Sequence, residues 1–266
     1  DNNKYLRMLW EVNSSDIETN WMLHAKGGEY RKWYGNIEYV VDWHNEALQH
    51  YKKDKIARFP KNYILFRRGI TWSLISTNPT FGARLLTEDT TFNKAAATIL
   101  FQDESYIEYT LGLLNSKVVN KITKMINPTL NNNIKDILLI PFIFNENKNE
   151  EIKSVVQNNI YLCKEDWDSF ETSWDFKKHH LLEFIDSKPG LHDTNIIVPP
   201  KHLKIMKNNY SEDCFIADEI PMKAKIYDSF RRWEEYTEKQ FNTLKKNEEE
   251  LNKIFIDIYG LKDELT

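Results

Sequence analysis

The sequence lacks glycine-rich loops, paired cysteines and long apolar runs. Its 266 residues contain eight glycines and neither a P-loop nor a Rossmann fingerprint, which argues against a nucleotide-phosphate cradle. The two cysteines, Cys163 and Cys214, do not have metal-site spacing and indicate a reducing, cytoplasmic compartment. Because no apolar run approaches about 18 residues, the sequence predicts no membrane span.

The start of the chain is polar and has no initiator methionine. The sequence therefore predicts no signal peptide there. We interpret the sequence as an excised piece of a longer protein, whose catalytic part would lie elsewhere.

Charge is distributed unevenly, although the net charge is only −4. Residues 1–100 hold 14 Lys/Arg and 11 Asp/Glu, a balance of +3, and residues 101–144 hold four of each. Residues 145–266 hold 18 and 25, a balance of −7. A negatively charged partner would therefore be held by a local patch in the first half of the chain.

The segment 58–73 is the strongest such patch, because it is basic and aromatic at once. Between residues 51 and 72, seven lysines and arginines face one acid, a balance of +6. The β-forming residues 63–65 predict a strand, Gly69 predicts a turn, and residues 70–72 predict a second strand. We interpret this pattern as a DNA-facing hairpin. The alternative is a solvated hairpin with ordinary lysines.

The remaining periodicity predicts a mixture of strands and helices. Apolar runs at residues 98–101 and 136–142 predict strands, whereas residues 104–124 have the spacing of a helix. The polar run 145–150 is a candidate boundary. Beyond it, residues 223–259 predict a long helix with a heptad rhythm and polar interruptions.

No complete catalytic motif is present. A GxSxG elbow is absent, and the Asn78-Pro79 and Asn127-Pro128 pairs lack the second proline and the aromatic residue that amino-methylating DNA enzymes require. One acidic cluster is the best candidate for a metal site. The preferred alternative is an acidic helix start that favours the helix dipole. The cluster consists of Asp166, Asp168, Glu171 and Asp175, followed by His179 and His180.

Several longer strings resemble one known family. They are KWYGNIEYVVDW, GITWS, LGLLNSKVVNKITKMINPTLN followed by DILLIP, DWDSFETSWDF and NEEELNKIFIDIYGLKDELT. Together they resemble the C-terminal region of PglX-like adenine-specific DNA methyltransferases of phage-exclusion (BREX) systems, which are related to fused type II restriction–modification enzymes. The segment from Leu111 to Pro141 is also similar to the end of a target-recognition domain in type I specificity subunits.

The resemblance implies that the parent protein transfers a methyl group from S-adenosylmethionine to adenine N6. The cofactor site and the catalytic loop would precede residue 1, so this chain would hold no catalytic residue, cofactor or metal. Its role would be to select the DNA sequence and hold the duplex. The implied partners are double-stranded DNA, the upstream methyltransferase domain and other defence-system proteins, with no membrane.

We therefore expect an α+β fold, with a mixed, β-rich target-recognition domain over residues 1–145 and a helical spacer or docking region over residues 146–266. Two alternatives stay open: a protein-interaction or scaffold module of the same defence complex, and a metal-dependent nuclease. The expected DNA-binding residues, chosen for their chemistry and placement, are Arg58, Lys61, Asn62, Tyr63, Arg67, Arg68, Thr71, Trp72 and Arg84.

Overall fold

The computed structural model describes residues 2–55, 59–76, 78, 80–186 and 222–265. Within these residues the strands are β1 (Leu6–Met8), β2 (Trp21–Ala25), β3 (Tyr39–Asp42), β4 (Gly69–Ser73), β5 (Ala83–Leu86), β6 (Thr90–Phe92) and β7 (Ala96–Leu100). The helices are α1 (Asn2–Tyr5), α2 (Asn45–Lys53), α3 (Ile107–Leu114), α4 (Lys117–Ile126), α5 (Ile134–Ile137), α6 (Glu146–Asp168), α7 (His180–Asp186) and α8 (Met222–Ile258). The predicted α+β class is confirmed.

The strands form two sheets. The first has the order β1-β3-β2-β6, with antiparallel pairs except for the parallel β2–β6 pair. The second has the order β5-β4-β7 and is antiparallel throughout. β4 has a strand on each edge, and all five of its residues are buried. This central strand contains part of the segment that the sequence predicts to face DNA.

Gly69 begins β4 instead of forming the predicted turn. A Cβ at this position would collide with the main-chain carbonyl of Ile99 on β7, so the close approach of two strands requires glycine here. The strand predicted over residues 63–65 is also wrong. Asn62–Ile64 forms a single 3-10 turn, in which the Ile64 N–H donates to the Lys61 carbonyl at 2.9 Å. Residues 59–73 therefore do not form a hairpin.

Helix α3 lies at the centre of the main hydrophobic core, and all eight of its residues are buried. Apolar side chains from the second sheet, α4, α6 and the end of α8 join it in one cluster. Leu111, Val156 and Phe255 are completely buried there. Burial of a large apolar side chain contributes about 1.5–3 kcal/mol, so this cluster holds the second sheet to the helices.

The helix predicted over residues 104–124 divides into α3 and α4 at two polar residues. The Asn115 side chain accepts a hydrogen bond from the Ala83 N–H at 2.9 Å and donates one to the Ala83 carbonyl at 3.0 Å. Ser116 caps α4, and its hydroxyl accepts from the Val119 N–H at 3.4 Å. Since the apolar spacing continues across this break, periodicity does not reveal it.

The strand predicted over residues 136–142 is wrong. Its first residues belong to α5, and residues 141–145 have no regular secondary structure and belong to neither sheet. The Asp136 carboxylate accepts hydrogen bonds from the Asn133 and Asn127 side chains at 2.9 and 2.7 Å. These bonds lower the pKa of Asp136 and hold the turn that leads into α5.

The predicted long C-terminal helix is confirmed as α8. Its last turns enter the core through Leu251 and Phe255, which are 2% and 0% exposed. Glu248, a polar interruption of the heptad pattern, accepts hydrogen bonds from Trp33 Nε1 at 2.7 Å and from Lys32 Nζ at 2.9 Å. The end of the heptad face is therefore used inside this chain.

The chain divides into two compact units, one formed by residues 1–177 and 240–266 and the other by residues 178–239. In the second unit, the rings of His180 and Phe184 lie 5.8 and 5.6 Å from the ring of Tyr236. The division at residue 145 stays a prediction. Among the described residues, no helix has both the length and the apolarity to cross a bilayer.

Candidate nucleic-acid interface

The nine residues predicted to bind DNA lie in different environments. Arg58 is outside the described residues, and only the backbone of Asn62 is described. The other seven consist of three buried residues, two arginines bonded within the chain and two exposed residues, Lys61 and Tyr63.

Thr71, Trp72 and Arg84 lie in the interior, on β4 and β5. Trp72 is 0% exposed and its indole N–H donates to the Asn132 carbonyl at 2.8 Å. The Thr71 hydroxyl donates to the Ala97 carbonyl at 3.1 Å. Burial, with a smaller effect of Arg31, lowers the pKa of Arg84 to about 10. In this fold the three side chains are buried and have structural contacts, and their assignment to DNA binding stays a prediction.

Arg67 and Arg68 bond to the protein itself. Arg67 donates to the main-chain carbonyl of Phe101. Arg68 Nη2 lies 2.8 Å from Glu108 Oε1, and the Glu108 side chain is only 6% exposed. Removal of Arg68 would leave a carboxylate without its partner in a nearly dry site. The two arginines therefore link the residues just before β4 to Phe101 and to α3, whatever further contact they make.

Lys61 and Tyr63 are on the surface, at the 3-10 turn that precedes β4. Tyr63 is 66% exposed, and the Lys61 ammonium lies 6.0 Å from the centre of its ring. This distance is at the outer limit of a cation–π contact, so the interaction leaves both groups accessible to a partner.

An aromatic cluster attaches this turn to α2. The Phe59 ring stacks on Tyr51 at 5.8 Å, and Trp43 contacts both Phe59 at 5.8 Å and Phe66 at 5.4 Å. The Tyr51 hydroxyl donates to the Asp42 carbonyl at 2.9 Å, and burial raises the pKa of this tyrosine. The cluster therefore gives a fixed position to a segment that has almost no regular secondary structure.

The site prediction omitted three exposed lysines that follow Tyr51 in the sequence: Lys52 and Lys53 in the last turn of α2, and Lys55 two residues after its end. The signal for them was present, since they contribute to the +6 balance between residues 51 and 72. Lysines in the last turn of a helix also favour the helix dipole, which is the structural alternative to a binding role.

We define the basic surface as Lys52, Lys53, Lys55, Lys61 and Tyr63. Within the described part of the chain none of its four lysines has an ion-pair partner. The one acid of the segment, Asp54, lies 3.5 Å from the His50 ring nitrogen and is only partly exposed. Unpaired ammonium groups can neutralise phosphates, and an exposed phenol ring can stack on a base.

The acidic cluster in the second half contacts basic side chains. Lys164 Nζ lies 2.6 Å from Asp168 and 2.5 Å from Asp175, and Arg31 lies 3.4 Å from Asp166. Burial would lower the pKa of Lys164, but its hydrogen bonds to the two carboxylates raise it. Across the described residues no group of three or more histidine, cysteine or acidic side chains is arranged to hold a metal.

Comparison with known proteins relates the chain to two methyltransferases. It is 32% identical over 267 residues to the adenine-specific methyltransferase PglX of Lacticaseibacillus casei (strain Zhang), covering 98% of this chain and 19% of that relative. It is 34% identical over 178 residues to the adenine-specific methyltransferase BrxX of Escherichia coli O9:H4 (strain HS), covering 65% of this chain and 14% of that relative. The chain thus spans less than a fifth of the curated relatives that it matches. No family model matches it.

Proposed function

This chain is a homologue of part of the PglX-like adenine-specific methyltransferases, and we propose that it binds duplex DNA and recognises sequence for such an enzyme. Methyl transfer from S-adenosylmethionine to adenine N6 would belong to other parts of the polypeptide. In the proposal, the chain holds the duplex while those parts act on the adenine.

The basic surface is the observation that carries the proposal. Its four lysines are exposed and have no carboxylate partner among the described residues, whereas other basic side chains, such as Arg68 and Lys164, form ion pairs. Each lysine that meets a phosphate releases condensed counterions, so binding would weaken as salt concentration rises. These contacts hold the backbone of the duplex and carry no sequence information by themselves.

Tyr63 is the residue of this surface best suited to contact a base. Its ring is 66% exposed and lies beside Lys61, so a phosphate contact and a ring contact would be adjacent. Aromatic stacking on a base that has left the duplex is tolerant of sequence, whereas a hydrogen bond from the phenol hydroxyl to a base edge is selective. The two modes differ in their need for the hydroxyl group.

The test is a salt titration of duplex binding for the chain and two triple variants. Lys52→Gln, Lys53→Gln and Lys61→Gln together remove three charges from the basic surface. The matched control, Lys94→Gln, Lys121→Gln and Lys124→Gln, removes three charges from exposed lysines elsewhere.

We expect the first triple variant to reduce the slope of log affinity against log salt by about 2 to 3, since each phosphate contact contributes about 0.9. The control should retain nearly the original slope. Equal losses in the two variants would show that only overall charge matters, and a chain without salt-sensitive duplex binding would refute the proposal.

A further inference from the structure

An exposed apolar segment follows α5 and contains none of the residues of the basic surface. We call residues 138–144 (LLIPFIF) the apolar strap. Single exposed apolar side chains are common on protein surfaces, but a contiguous group of this size marks a contact site. Its large exposed residues are Leu138 (73%), Leu139 (65%), Phe142 (49%), Ile143 (42%) and Phe144 (39%).

The strap is held in position by two tyrosines. The Tyr109 hydroxyl donates to the Ile143 carbonyl at 2.9 Å, and its ring lies 4.9 Å from that of Phe144. The Tyr259 hydroxyl donates to the Pro141 carbonyl at 2.5 Å and accepts from the Ile143 N–H at 3.3 Å. A partner would therefore meet a preformed surface and would not have to order it on binding.

The composition of the strap excludes nucleic acid as its occupant. It contains no charged residue and no side-chain hydrogen-bond donor, whereas duplex DNA is bound mainly through contacts with its phosphates. A permanently covered interface, by contrast, is more apolar than the ordinary protein surface and resembles a domain core.

The length of the relatives indicates what covers the strap. The matched region is 19% of the L. casei methyltransferase, so about four fifths of that polypeptide lies outside the region related to this chain. We propose that the apolar strap docks against an apolar surface on the remaining part of the longer methyltransferase polypeptide. The inference rests on the homology, which the proposed function also uses, and does not depend on DNA binding.

The test places Leu138→Asp and Leu139→Asp in the 266-residue chain and in the longer polypeptide that contains it. Both side chains are more than half exposed, and neither takes part in the hydrogen bonds by which the two tyrosines hold the strap. The control is Tyr161→Asp with Phe241→Asp, which are 57% and 66% exposed on α6 and α8.

In the longer polypeptide, we expect the strap variant to be cleaved by protease between this chain and the remainder at least about tenfold faster, as the loss of an interface hot spot predicts. The control variant should be cleaved at the original rate. The same strap substitutions in the 266-residue chain alone should leave its melting temperature and its duplex binding unchanged.

Equal cleavage rates for the strap variant, the control and the unaltered polypeptide would overturn the inference. So would sedimentation of the 266-residue chain as a dimer that the strap substitutions dissociate, since the occupant would then be a second copy. A failure of DNA binding alone would refute the proposed function and leave the cleavage result standing.

Discussion

Residues 59–66 and residues 67–73 are adjacent and similarly basic and aromatic, yet the fold treats them differently. In the first segment Lys61 and Tyr63 are exposed, and the aromatic cluster holds the turn that carries them. The second turns Arg68 toward Glu108 and buries Trp72 in the second sheet. Charge and aromatic content thus identify a region, whereas strand neighbours decide which of its side chains are available to a partner.

Among substitutions in these two segments, Trp72→Ala should have the largest effect on the free energy of unfolding. A fully buried tryptophan replaced by alanine leaves a cavity and an unpaired Asn132 carbonyl, at a cost of about 3–5 kcal/mol in the free energy of unfolding. Trp10→Ala is the matched control: this residue is 56% exposed and its loss should cost less than about 0.5 kcal/mol. Urea unfolding measures both, and equal costs would contradict the assignment of Trp72 to the core.

Arg68→Ala should have an intermediate effect on stability. It leaves the buried Glu108 carboxylate without its partner at 2.8 Å, which we expect to cost about 1–3 kcal/mol. The double variant Arg68→Ala with Glu108→Gln should recover part of this cost, because the uncompensated charge is removed. If the Arg68→Ala chain kept its stability but bound duplex DNA more weakly, the result would indicate that Arg68 contacts DNA and that its ion pair contributes little to folding.

Tyr63→Ala should have the smallest effect on stability, below about 0.5 kcal/mol, because the side chain is exposed. Its effect on DNA binding should be larger, about 1–3 kcal/mol if the ring stacks on a base. Tyr63→Phe retains the ring and should bind like the unaltered chain. A Phe variant as weak as the Ala variant would exclude stacking and indicate a contact through the hydroxyl.

The elements with long, regular patterns were predictable from sequence. The 37 residues of α8 and the strand β7 lie close to their predicted positions, because their patterns of apolar residues match the final packing. The heptad pattern did not indicate its partner: Leu251 and Phe255 pack into the core of this chain. Replacing Leu244 and Leu251 by Asp would therefore report on folding as well as on association.

The features that sequence reasoning missed depend on contacts between distant residues. Gly69 indicates a turn when read alone, but Ile99, thirty positions later, requires it for a close strand contact. From the sequence alone Arg68 has the chemistry of a phosphate ligand, but in the fold it forms an ion pair with Glu108, forty positions later. Within the candidate site, the location of the basic surface was predictable from charge, whereas the availability of each residue was not.

Lysine acetylation of the unaltered 266-residue chain, with and without duplex DNA and read by mass spectrometry, tests directly whether the basic surface binds DNA. Lys52, Lys53, Lys55 and Lys61 are exposed and unpaired within the described residues, so their reactivity should fall when DNA binds. Lys121 and Lys124, exposed on α4, should react at the same rate in both samples. Protection of the α4 lysines instead, or no protection at the basic surface under conditions where DNA is bound, would show that the basic surface does not hold the duplex.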